Sequence, residues 1–80
     1  MPYKILKIIE LCEVLDEKTT EETTGLRTIA YEISKSKSLV DAIIDYEDNF
    51  DSDRVIESFD DFEGECLDST IVSASFQDCW

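Results

Sequence analysis

The sequence predicts an α+β fold, an antiparallel three-stranded sheet with two helices on one face in the order β-β-α-α-β. Three observations point to it: two apolar, Ile-containing stretches near the N-terminus separated by a polar, Thr-rich segment, an apolar stripe at helical spacing from Leu39, and an alternating run near the C-terminus. Eighty residues make a single domain, 1–80. A chain this short removes only about 60% of its unfolded surface from water and cannot divide its core in two.

Residues 3–15, YKILKIIELCEVL, are apolar nearly throughout and rich in Ile, which fits a strand buried on both faces in preference to a buried helix. DEKTTEETTG at 16–25 reads as the loop to an antiparallel neighbour. Ile29, Tyr31 and Ile33 then alternate with Thr28, Ala30 and Glu32, the period of a half-buried strand over about residues 26–33. Ser38 caps a helix from Leu39, with Asp41 completing a capping-box pattern. Leu39, Ile43, Tyr46 and Phe50 form its apolar stripe, widened by Val40 and Ile44.

A second, shorter helix is expected at 52–62, where Val55, Ile56, Phe59 and Phe62 share a face; a strand at VIESF is the alternative. Gly64 breaks it. A strand follows at about 66–76, with Cys66, Thr70, Val72, Ala74 and Phe76 on one face and Leu67, Ser69, Ile71, Ser73 and Ser75 on the other. Tyr46, Phe50, Phe59, Phe62 and Phe76 fall on the core faces. Tyr3, Tyr31 and Trp80 remain candidates for an exposed interface anchor.

Charge carries the functional signal. The net charge is -13, and residues 38–80 hold thirteen acids against Arg54, hence -12. Small domains need only about 2–8 charges to stay dispersed, so solubility does not account for this field. It repels nucleic acid and anionic membrane surfaces and favours a basic protein surface or a cation. No apolar run reaches the length of a membrane span, and Lys4 and Lys7 inside the first apolar stretch break a signal-peptide layout, so a cytoplasmic protein is expected.

Without histidine there is no Ser/His/Asp or Cys/His nucleophile arrangement and none of the common zinc sites. The chain therefore reads as non-enzymatic, with no cofactor. Cys12, Cys66 and Cys79 are odd in number and lack a CxxC pair, which fits free thiols in a reducing compartment, the first two in the core and the third exposed.

Between Asp41 and Asp68 stand twelve carboxylates and one cation. Asp41, Asp45 and Asp48 recur along the outer side of the first helix, and Glu47, Asp51, Asp53, Glu57, Asp60 and Asp61 extend the series, giving nine candidate partner-binding residues. Helical carboxylates three or four residues apart rise about 4.5–6 Å along the axis, against one phosphate per roughly 3.4 Å along a DNA strand. In size, absence of histidine, carboxylate run and compact α+β pattern the chain resembles small, strongly acidic phage-encoded inhibitors, anti-CRISPR proteins and DNA mimics that block repair or restriction enzymes. The resemblance is compositional, covers residues 38–80 best and carries over no functional residue. It implies a stoichiometric blocker of a nucleic-acid channel, whose partner is a basic nucleic-acid-binding protein or complex.

Two alternatives accompany this reading. One is an adaptor or phage accessory domain that binds a protein through an apolar patch. The other is a weak divalent-cation site among Asp48, Asp51 and Asp53; DYEDNFDSDRVI at 45–56 places oxygens as an EF-hand does, but Phe50 stands where glycine is required and Ile56 where the bidentate glutamate belongs. Lys35 and Lys37 could also pair with the acidic half of a second copy, as a head-to-tail homodimer requires.

Overall fold

The Ile-rich N-terminal stretch forms β1 (Tyr3–Leu15), an inner strand of the sheet in a computed structural model that describes residues 3–77. It is followed by β2 (Glu22–Ser34), α1 (Leu39–Asp48), a 3-10 turn (Ser52–Arg54), β3 (Val55–Asp60) and β4 (Glu65–Gln77). The sheet is antiparallel throughout, with strand order β3-β2-β1-β4. Cys79 and Trp80, expected to be exposed or interfacial, lie outside the described residues.

β1 and β2 pair along their whole length, from Tyr3 opposite Ser34 to Leu15 opposite Glu22. The expected loop at 16–25 therefore shrinks to 16–21, closed by Thr20 N–H donating to Asp16 O (2.7 Å) and Asp16 N–H to Glu21 O (3.0 Å). Thr23 and Thr24 are β-branched and join the ladder because β1 offers them a paired backbone.

The three-strand, two-helix expectation is corrected: there are four strands and one α-helix. Of the predicted helix at 52–62, only Ser52–Arg54 coil, in a single turn, and Val55–Asp60 instead lie along the outer edge of β2. An isolated helix this short is marginal, whereas the strand pairs the backbone of Arg27–Tyr31 that a helix would have left open.

The main buried cluster lies on one face, and Ile5 and Ala30 are buried on the other. Leu6 and Ile8 of β1, Ile29, Tyr31 and Ile33 of β2, and Ala42 and Tyr46 of α1 form one cluster, flanked by Leu39, Val55, Ile71, Ala74 and Phe76. Tyr31 is fully buried, which removes it from the candidate interface anchors. Its ring meets Tyr46 edge-on at 5.0 Å and stacks on Phe50 at 5.6 Å, within the favourable range for aromatic pairs.

Ser38 caps α1 as expected, accepting from Asp41 N–H at 3.3 Å. The buried stripe, however, runs through Ala42 and Tyr46 with Leu39 and Ile43 half-buried, while Val40 and Ile44 face solvent. Phe50 lies beyond the end of α1 and is 52% exposed despite its stacking. Phe59 is 65% exposed on β3, and Phe62 is half-buried over Gly25, where a Cβ would overlap its ring.

β4 also departs from strict alternation. Its register against β1 slips twice, leaving Val72 and Leu67 as extra residues without a partner. Each bulge moves the following side chains to the opposite face. Ile71 thus packs against the core with Ala74 and Phe76, whereas Thr70 and Val72, expected there, are exposed.

Candidate acidic interface

The nine candidate carboxylates do not form one ridge. On α1, Asp41, Glu47 and Asp48 are exposed and have no side-chain hydrogen bond or ion pair among the described residues. Asp45 turns inward between Arg54 Nη2 at 2.9 Å and Lys37 Nζ at 3.8 Å. The hydrogen bond from Arg54, reinforced by its charge and that of Lys37, holds the Asp45 carboxyl below its ordinary range. Arg54 also donates from Nε to Glu32 O at 3.0 Å and lies over the Tyr31 ring, so the pair clasps α1 to β2.

The rest of the set divides in the same way. Asp51 caps the 3-10 turn, accepting from Asp53 N–H at 3.0 Å, and its own N–H donates to Tyr31 Oη at 2.9 Å. Asp60 pairs with Arg27 at 2.8 Å. Asp61 accepts from Leu26 N–H at 2.7 Å and returns its own N–H to Leu26 O, extending the β2–β3 ladder by one step. Asp53 and Glu57 are exposed without internal partners among the described residues, Glu57 on the sheet face away from α1. Four of the nine therefore hold the fold together and five are presented to solvent.

Sequence reasoning missed a second acidic group that the strand pairing assembles at the far end of the sheet. Glu13 stands directly opposite Asp68, and Leu15 is flanked by Glu22 on one side and Glu65 on the other. Like charges in directly opposed positions destabilise a sheet, and here the fold tolerates them. No spacing along the chain signals this cluster, because its members come from three strands.

Glu10 is only 8% exposed and receives Tyr46 Oη and Ser69 Oγ, each at 3.4 Å. Burial, followed by the Glu10 charge, pushes the Tyr46 phenol well above its usual range. Cys12 is buried beside Cys66, and burial and that second thiol push it up to about 11, so it is protonated at neutral pH. Among the described residues no three Cys, Asp or Glu side chains come together as a metal cage, and Asp51, one of the three proposed cation ligands, is committed to its cap.

The molecule that carries these charges is a rod of 46 × 23 × 20 Å. Residues 3–77 contain all seven cations and nineteen of the twenty acids, so there is roughly one net negative charge for every 4 Å of length, close to the spacing of phosphates along one nucleic-acid strand. Among the described residues no helix is long and apolar enough to cross a membrane. Comparison with known proteins found no family model, no curated protein and no solved structure that matches this chain.

Proposed function

We propose that this protein is a non-enzymatic inhibitor that binds a basic nucleic-acid-binding surface of a protein or complex and competes there with DNA or RNA, in an anti-CRISPR-like or other anti-defence role in the cytoplasm. The observation that carries the reading is the linear density of net negative charge on a narrow rod. Asp41, Glu47, Asp48, Asp53 and Glu57 supply the charge that meets the partner. Asp45, Asp51, Asp60 and Asp61 act by holding α1, the 3-10 turn and β3 in place. Surface potential of one sign accelerates encounter with a surface of the other, and shape and apolar contact then select the partner.

The test is affinity capture from the natural host's lysate at rising salt, with identification of what elutes and addition of competing duplex. The expected result is release of a nucleic-acid-processing complex between about 50 and 500 mM salt, displacement by DNA, and loss of capture by the Asp41→Asn/Asp48→Asn/Asp53→Asn variant. Capture that survives high salt and ignores DNA would sink the proposal.

A further inference from the structure

α1 covers one face of the sheet, and among the described residues no helix covers the other, where Ile5 and Ala30 are buried but Leu11, Leu26 and Phe59 are exposed. On that open face the strand pairing sets side chains in rows: Phe59, Thr28, Ile9 and Ser73 in one, Leu26, Leu11 and Thr70 in the next. Phe59, Leu11 and Leu26 are 65%, 41% and 41% exposed, so the two rows form an apolar band across the strands. A groove of about 280 Å³ opens beside it, with Ala30 and Thr28 as floor and Lys7, Glu57, Phe59 and Gln77 as walls.

Carboxylates border the band on both sides. Glu57 and Glu32 stand toward one end, and Glu13 with Asp68, then Glu22 with Glu65, toward the other. Lys7 is the one cation that the described strands place on this face.

We propose that the open face docks a basic amphipathic helix of the partner protein, its apolar stripe on Ile9, Leu11, Leu26 and Phe59 and its flanking lysines or arginines over the two acidic borders. The proposal rests on the reading above that the partner is basic, and it adds a second contact to the one made by Asp41, Glu47, Asp48 and Asp53: Glu57 is common to both, and a helix of the same partner lies on the face away from α1. Counted along β1, each border begins three residues from the middle of the band, about 10 Å at the rise of a strand. A helix with its side chains is about 10–12 Å across, and lysine and arginine stems reach beyond that while their heads stay solvated.

Other occupants fit less well. A second copy would bring Glu13, Glu22, Glu57 and Asp68 against an equally acidic face, with a net charge of -13 on each chain. Phosphate-bearing ligands meet the same repulsion. An extended peptide seeks unpaired backbone, and the backbone of the inner strands is already paired on both sides.

The test titrates the isotopically labelled full chain with a synthetic leucine–lysine peptide patterned as an amphipathic helix, and with a scrambled peptide of the same composition, at about 150 mM salt. The patterned peptide should bind about tenfold tighter, shift the amides of Ile9, Leu11, Leu26, Thr28 and Phe59, and lose that advantage with Leu11→Ser/Phe59→Ser but keep it with Val40→Ser on the outside of α1. Equal binding of both peptides, with shifts on α1, overturns the docking face while leaving the acidic-partner reading in place. No binding by either removes both. Sedimentation showing a dimer of the free chain that protects the same amides gives the face to a second copy and also overturns the proposal.

Discussion

The two faces of the sheet are cut from the same strands and end in opposite environments. Leu6, Ile8, Ile29, Tyr31 and Ile33 lie under α1 and are closed to water, whereas Leu11, Leu26 and Phe59 remain wet. Hydrophobicity does not separate the two sets. What separates them is a ten-residue helix, long enough to cover one face near Tyr31 and no more, and the clasp of Asp45 on Arg54 that keeps it there. The cluster that holds α1 therefore lies on one side, and on the other, apart from Ile5 and Ala30, the apolar side chains stay in contact with water.

The sharpest way to break that contrast is to cut the same kind of side chain from each face. Tyr31→Ala removes the ring that joins Tyr46 and Phe50 and the hydroxyl that receives Asp51 N–H, and should cost about 3–5 kcal/mol in urea unfolding. Phe59→Ala, on the open face, should cost less than about 1 kcal/mol by the same measurement. Equal losses would mean that both faces are structural.

Removing the clasp comes next. Arg54→Met should destabilise by about 2 kcal/mol at pH 7, because it strips a charge-assisted hydrogen bond from a largely covered Asp45. The Asp45 carboxyl titrates below its ordinary range in the folded chain, so its contribution is present above that ordinary range and is lost as pH falls through the lowered folded value. The gap between wild type and variant should accordingly narrow from pH 7 to pH 3, which paired urea curves will show.

At the alkaline end the sign reverses. Cys12 and Tyr46 both bind their protons more tightly when folded, so their contribution is complete below about pH 9 and declines as pH rises through about 11 for Cys12. Urea midpoints should hold to pH 9 and then fall, and Cys12 should resist alkylation at pH 8 until the chain unfolds, as peptide mapping by mass spectrometry can follow. The smallest effect belongs to the solvent-facing acids: Asp48→Asn should change stability by less than about 0.5 kcal/mol while weakening partner capture. A larger loss would return Asp48 to the fold and remove it from the interface.

These contrasts were unevenly legible along the chain. The β1–β2 hairpin and α1 with its Ser38 cap follow from local patterns: apolar runs separated by a polar turn, and a 3.6-residue stripe behind a hydroxyl. The stretch from Val55 to Phe62 was ambiguous because its apolar residues suit either period, and the deciding partner, the outer edge of β2, is more than twenty residues away. The faces of β4 were misread for a related reason: Val72 and Leu67 are extra only with respect to β1, and a bulge has no period of its own. Among the candidate acids, nothing in sequence distinguishes Asp45 from Asp41 or Asp60 from Glu57, since the difference is whether a distant Arg54 or Arg27 arrives.

The sequence by itself determined the acidity, the absence of histidine chemistry, the paired N-terminal strands and the position of α1, because composition and short-range periodicity act through neighbours along the chain. Tertiary structure alone decided that Val55–Asp60 would be a strand, that four of nine carboxylates would be bound internally, that Glu13 would face Asp68, and that Leu11, Leu26 and Phe59 would be exposed together. Each of those outcomes depends on backbone and charge brought together across the sheet, where pairing and desolvation outweigh local preference.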